Sequence, residues 1–412
     1  MKNIFILLSL ILFLGSCLEA NDIEFHGFFQ GNYSVSITSR NPDGRIFKWA
    51  EERFQLKINA NIKPIVLFFK ADTFYDHYDD KANIEFREGY LDYNSRIWDT
   101  RLGRQIITWG VGDLIFINDV FPKNYEAFFS GRPMEYLKKG IDGIKFGIYP
   151  SAMNFELVAV PVFEANNYPA SNRFWSFNPL ASITLTEQRE PPANFANTEF
   201  AIRAYRDIKG MDASLYFYKG FSRQPSMMLE QQQMQTKNIL FYPKLLVYGA
   251  SFQGRALNGV LSFEVGHYDS VQDREGKNPV IPNSQTKFLI GYQRQIKEDF
   301  TVGLQYYNEY MHKFSEYKKA LPSGFPTEDN FYQLMTLRLT RFFMHQNLKI
   351  SFFVFYSPSE RDRYINSEVY YKFTDNVNVT AGINIFGGTK QTTKFGGLDK
   401  NDNFYLQLRY EF

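Results

Sequence analysis

The chain has 412 residues with a formal net charge of +2, 42 Phe, 27 Tyr and a single cysteine. A charge so near balance excludes the basic face that a nucleic-acid binder needs, and one cysteine excludes an internal disulfide. Aromatics in this excess are what the two interfacial girdles of a membrane barrel require.

Met1 to Ala20 opens with Lys2 and Asn3, continues as the apolar run IFILLSLILFLG and leaves through small and polar residues. A charged start, about a dozen apolar residues and a small-residue exit make a secretory signal peptide, short of the roughly 20 apolar residues of a membrane helix. Cleavage after Ala20 is the preferred reading and leaves residues 21–412. LGSC, Leu14 to Cys17, offers a second reading with lipid attached at Cys17. Past the leader no stretch is apolar and long enough for a membrane helix, but barrel strands hide their hydrophobicity in alternation.

Alternation of apolar and polar side chains predicts strands over 24–38, 47–60, 65–75, 84–94, 97–109, 140–149, 152–163, 198–207 and 210–220, then 239–254, 259–269, 285–296, 300–312, 331–344, 348–357, 364–374, 377–387 and 403–412. Eighteen strands is an even number, with sixteen the next choice. Tight turns follow the even strands, for example at 61–64, 95–96, 255–258 and 375–376. Longer stretches follow the odd ones, at 110–139, 164–197, 221–238, 270–284, 313–330 and 388–402. Short turns at one end and long loops at the other describe an all-β, transmembrane, antiparallel up-and-down β-barrel with a periplasmic and an extracellular rim.

The alternation also assigns faces. In WAEERFQLKINA, Phe54, Leu56, Ile58 and Ala60 share one side while Glu51, Arg53, Gln55, Lys57 and Asn59 share the other. Ile365, Val369, Tyr371 and Phe373 face out where Asn366, Glu368, Tyr370 and Lys372 face in. A polar, hydrated interior follows, lined by Glu51, Arg53, Gln55, Lys57, Arg203, Glu264, Gln305, Glu309, Arg338, Glu368, Lys372 and Arg409.

The connection 111–139 is too apolar for a surface, since Leu114, Ile115, Phe116, Ile117, Val120, Phe121, Phe128 and Phe129 need cover. One reading folds it inward as a constriction, with Arg104, Trp109, Asp113, Phe116, Asp119 and Phe121 at the narrowing; the other packs it over the mouth as a lid. Gly103-Arg104-Gln105, Trp109-Gly110 and then Asp119-Val120-Phe121-Pro122 resemble an uncharacterised outer-membrane barrel family, similar in outline to the alginate exporters and porin-like channels of Gram-negative bacteria. The motif covers about a tenth of the chain and departs from the family pattern at Val111. What the resemblance implies is an outer-membrane channel; the mixed charge of the lumen argues against alginate or another polyanion.

Phe174, Trp175 and Phe177 cluster in 164–197, where they either grip a ligand or anchor the loop to its neighbours, the second being favoured. Asp76, His77, Asp79 and Asp80 could hold a divalent cation near the lipopolysaccharide surface, oxygen ligands being suited to calcium or magnesium, yet four polar residues on a loop tip are more often solvated, so no metal and no cofactor is expected. His26, His77, His267, His312 and His345 have no metal-ligand spacing, and no G-x-S-x-G elbow is present, so the chain is not expected to be an enzyme.

The chain ends on FYLQLRYEF, with Phe404, Leu406, Leu408, Tyr410 and Phe412 at every second position. The last strand of a barrel must pair with the first, because lipid cannot satisfy a sheet edge. The ending also resembles the C-terminal signal by which the assembly machinery recognises outer-membrane barrels, with Tyr410 and Phe412 as its key residues. The expected function is passive diffusion of small solutes through an outer-membrane porin-like channel of a Gram-negative bacterium, in contact with lipid and lipopolysaccharide and of open oligomeric state. The alternative is a loop-plugged barrel that conducts lipid or hydrophobic compounds, or serves as the scaffold of an export system. A lipid-anchored adhesin built on the barrel is a third reading.

Overall fold

The computed structural model describes residues 23–178, 186–232 and 235–412. The signal-peptide reading of residues 1–20 and the lipid-attachment reading of Cys17 lie outside them. In chain order the strands are β1 (Ile23–Ser36), β2 (Phe47–Ile62), β3 (Ile65–Asp76), β4 (Lys81–Asn94), β5 (Trp98–Gln105), β6 (Ile141–Ile148), β7 (Asn154–Val160), β8 (Thr186–Arg189), β9 (Glu199–Asp207) and β10 (Met211–Phe221). There follow β11 (Ser226–Gln232), β12 (Gln235–Phe241), β13 (Lys244–Ala256), β14 (Gly259–Ser270), β15 (Gln285–Lys297), β16 (Phe300–Met311), β17 (Phe331–Phe343), β18 (Leu348–Ser357), β19 (Asp362–Lys372), β20 (Val377–Gly388) and β21 (Asn403–Glu411). Short helices α1 (Tyr125–Phe129) and α2 (Phe314–Ala320) lie in two of the long connections.

Eighteen strands form one antiparallel sheet, and β1 pairs with both β2 and β21, so the sheet closes on itself without an edge. The remaining β8, β11 and β12 make a separate three-stranded sheet above the rim, with β12 antiparallel to β11 and parallel to β8. Two expected strands are corrected. The one read over 97–109 ends at Gln105, where the chain leaves the wall for the interior; the one read over 239–254 begins at Lys244, because Tyr242-Pro243 separates β12 from β13 and Pro cannot donate to a ladder.

The eight connections on one rim are tight. Leu257 and Asn258 both take positive φ, the hairpin geometry whose twist matches that of its strands. The other rim carries the long connections, 77–80 and 358–361 excepted. Outward positions around the wall hold Phe29, Leu102, Phe146, Leu215, Phe263, Leu304 and Leu406, all exposed. Apolar outside and charged inside is the arrangement a barrel takes in a bilayer. At closure the Gly27 and Phe412 backbones exchange two hydrogen bonds of 3.0 Å. The Phe412 ring packs near Phe29 and Phe54, over Gly27, where a Cβ would lie 2.7 Å from that ring.

Candidate functional site

Residues 106–140, between β5 and β6, fold into the barrel rather than over its mouth. From β5 the chain crosses to the far wall, where Glu264 at the middle of β14 receives it. Backbone N–H groups of Val111, Gly112 and Asn118 donate to the Glu264 carboxylate at 2.8, 3.1 and 2.7 Å, and the Asn118 side-chain amide adds a fourth bond at 3.0 Å. Gly110, at φ +80°, makes the turn that presents these amides, a conformation open to glycine. Next to it Asp113 donates its N–H to Gln305 at 2.7 Å and pairs with Arg338 at 2.6 Å.

The segment then follows the wall round. Asn124 caps α1 by accepting the Ala127 N–H at 3.0 Å. The Phe129 carbonyl accepts from Asn384 of β20 and Asn403 of β21 at 3.1 and 3.0 Å, and the Gly131 carbonyl accepts from Gln407 at 2.7 Å. Glu135 pairs with Arg409 at 2.8 Å. On β2 to β4 the Tyr136 ring is flanked by the guanidiniums of Arg53, Arg87 and Arg132, 4.4 to 4.6 Å from its centre. Glu51, Asp72 and Glu85 balance those three charges: Arg53 meets Glu51 at 2.7 Å and Asp72 at 2.6 Å, and Arg87 meets Glu85 at 3.0 Å. Three cations against three anions leave no net charge in this corner, the condition on which such groups tolerate burial.

Two apolar clusters complete the fit. Ile107, Trp109, Val120 and Phe121 pack on Val158, Val160, Ala201, Tyr216 and Val247 of one wall. Ile115 and Ile117, with Phe128 and Phe129 beside them, pack on Leu289, Leu334, Phe353, Phe355 and Phe386 of the other. The interior is therefore not polar throughout, as alternation had implied: these wall residues face inward because the inserted segment needs apolar surface to bury its own. Loop 161–178 also enters, with Arg173 bound to Asp76 at 2.5 Å and Asp79 at 2.7 Å and stacked on Trp49 and Tyr78, so those carboxylates serve an ion pair. Phe174 is buried, while the Trp175 N–H donates to Asn401 at 2.7 Å.

Above the segment, towards the long-loop rim and on the side of β10 to β19, a vestibule of about 490 Å³ remains. Phe116, Asp119, Phe121, Lys123 and Tyr125 make its floor, and its walls carry Arg223, Lys244, Lys287, Glu309, Glu328, Tyr332, Glu360 and Lys394. Burial pushes the Lys123 ammonium below the usual lysine range, with Asp119, 2.9 Å away, working against that shift. Burial likewise lifts the Asp113 carboxyl, against the pull of Arg338.

All twelve residues expected to line the pore occupy inward positions, but several are engaged. Glu51, Arg53, Gln55, Glu264, Gln305, Arg338 and Arg409 bind the inserted segment or the charge cluster beneath it. Glu309 pairs with Lys394, Glu368 with Lys349, and Lys372 with Asp375 at the turn rim. Lys57 lies near the Phe68 ring and Arg203 stacks on Tyr205 and meets Ser214. Among the expected constriction residues, Trp109, Asp113, Phe116, Asp119 and Phe121 lie within the barrel, Trp109 donating to Glu156 at 2.6 Å.

Arg104 does not join them. It shares the outward parity of Leu102 and pairs at 3.0 Å with Asp142, whose neighbours on that face are Ile144 and Phe146. Alternation within its own strand carried that signal. Asp72, Tyr136, Arg132, Lys287, Tyr332 and Lys394 went unread, the loop members among them because a loop has no period from which to infer a direction.

Neither a protein-family model nor a curated protein sequence matches the chain. Solved structures do: Pseudomonas aeruginosa OccK11 (OpdR) superposes with a TM-score of 0.57 at 11% identity, covering 95% of this chain and 96% of that one. Pseudomonas aeruginosa OccD3 (OpdP) gives 0.56 at 9% over 95% and 92%, and Acinetobacter baumannii OccAB3 gives 0.54 at 10% over 95% and 99%. At such identities the likeness is one of fold. They support an outer-membrane β-barrel but lend nothing to the alginate-exporter resemblance of the Gly103 to Pro122 stretch.

Proposed function

We propose that the protein is a channel of a Gram-negative outer membrane through which small solutes diffuse, with residues 106–140 narrowing a mixed-charge lumen. The observation that carries this reading is a closed barrel, apolar outside, whose interior is crossed at mid-height by a segment fixed to opposite walls beneath a charged, water-accessible vestibule. Tyr410 and Phe412, outward on the closing strand, are read as the assembly signal, and lipid and lipopolysaccharide as the surroundings of the apolar band.

The two apolar clusters favour a second reading. A segment packed dry against both walls suits a barrel plugged at mid-height, serving as a conduit for hydrophobic compounds or as a scaffold. Conductance of the refolded protein in a planar bilayer separates them: steady ohmic steps in potassium chloride support the channel, and silence from protein shown by circular dichroism to be folded overturns it in favour of the plug.

A further inference from the structure

The acidic residues of the vestibule are not spread evenly. Glu309, Glu328, Asp329 and Glu360 line its β16 to β19 side, against Lys287 and Lys394 there. Lys394 comes from the last long connection and reaches across to Glu309. Its ammonium lies 3.2 Å from a Glu309 oxygen and 3.7 Å from the centre of the Tyr332 ring, while the Tyr307 hydroxyl donates to the same oxygen at 2.6 Å and Lys287 stands 4.0 Å away. Tyr332 is only 5% exposed, and its hydroxyl has no hydrogen-bond partner among the described residues. A buried, unpartnered hydroxyl on a cavity wall is an open position for a polar ligand.

Lys394 is not needed to hold its own loop. Its backbone N–H donates to Glu360 at 3.3 Å, the Phe395 N–H donates to Asp362 at 2.7 Å, and the Phe395 ring packs on Phe355 and Tyr364. The Lys394 side chain is 51% exposed, so it can rotate into vestibule water while the backbone stays clamped. A ring face and a carboxylate oxygen converging on one point suit a compact ammonium, whereas a planar guanidinium would ask for two parallel acceptors.

We propose that this corner of the vestibule binds the primary ammonium group of an entering solute, and that Lys394 occupies it as a tethered competitor. The proposal rests on the channel reading above and names its solute class. An organic amine takes the place of the Lys394 ammonium against Glu309 and Tyr332, and Lys394 swings out to the solvent.

Calorimetric titration of the full chain, folded in detergent micelles, with n-butylammonium chloride tests it, with n-butanol as the uncharged control. Lys394→Gln should bind the amine at least tenfold more tightly than wild type, and Glu309→Gln at least tenfold more weakly. Tyr332→Leu, which removes ring and hydroxyl together, should weaken binding as well and stands in if Glu309→Gln fails to fold. Equal affinity in wild type and Lys394→Gln, or affinity no greater for the amine than for butanol, overturns the proposal. Conductance in potassium chloride is read separately: a conducting barrel without amine binding defeats this site alone, and amine binding in a barrel that never conducts defeats the channel reading alone.

Discussion

Glu264 is the place to loosen the inserted segment. In Glu264→Ala the backbone N–H groups of Val111, Gly112 and Asn118 lose their acceptor at a position where the carboxylate is wholly buried, 0% exposed. An orphaned buried donor costs about 1–3 kcal/mol, so three cost about 3–9 kcal/mol. Each 1.4 kcal/mol is tenfold, and even the lower figure raises local opening of residues 111–118 by about two orders of magnitude.

Glu264→Gln should be milder. Its amide oxygen keeps the Val111 and Gly112 donors, while its NH2 group faces two donors of Asn118, of which the side-chain amide retains the Val265 carbonyl at 3.2 Å. Only the Asn118 backbone N–H is stranded, at about 1–3 kcal/mol. Hydrogen exchange of the three amides, read by mass spectrometry on the folded barrel, should rank wild type slowest, Glu264→Gln between and Glu264→Ala fastest. Single-channel conductance should become larger or noisier in the same order. Unchanged exchange in Glu264→Ala would show that the apolar clusters alone hold the segment and would refute the clamp.

Arg53→Ala leaves Glu51 and Asp72 facing each other without the guanidinium between them, and loss of about 3–5 kcal/mol is expected in denaturant unfolding. Arg338→Glu should shift the reversal potential towards cations, because Arg338 meets the tip of the segment at Asp113, whereas Arg104→Glu, on the outward face, should leave it in place. Glu360 has its pKa raised to about 7, by burial first and then by Asp362 and Asp329, with Lys394 opposing. Its proton is held more tightly folded than unfolded, so the stability it contributes is present in full below about pH 4.5 and lost as pH rises through about 7. The vestibule gains a negative charge over the same rise, and cation preference should grow from pH 6 to pH 8 in wild type but not in Glu360→Gln. Gly27→Ala drives a methyl group against the Gln55 backbone carbonyl of β2 and, at 2.7 Å, against the Phe412 ring, an overpacking of about 1–3 kcal/mol that should lower the yield of trypsin-resistant barrel on refolding.

The wall was legible because strand direction and burial face are local properties. Leu348–Ser357 has the bounds its alternation gives, and Phe404 to Phe412 face as their spacing demands. Reading failed where alternation outlived the strand. Ile107 and Trp109 keep the inward parity of Gln105 but are apolar, and they pack inside the barrel on the neighbouring wall from β7 to β13, where alternation had implied only polar company. The parallel pairing of β8 with β12 joins residues about fifty apart in sequence and left no mark in either. Glu264 was read as inward, but that it receives amides from a segment some 150 residues earlier is a fact of tertiary structure. Arg104 is the opposite case: Leu102, two residues before it, already told which way it points.

The route of the inserted segment imposes an order of events. Residues 106–140 leave the ribosome early, yet Glu264, Gln305 and Arg338, and then Asn384, Asn403 and Gln407, belong to strands made later, the last of them within ten residues of the end. The segment cannot reach its final place until the closing strand has arrived. Its seat also depends on the register of that strand: a slip of one residue in β21 would turn Asn403 and Gln407 to the outside, leaving the Gly131 carbonyl without its donor and the Phe129 carbonyl with Asn384 alone.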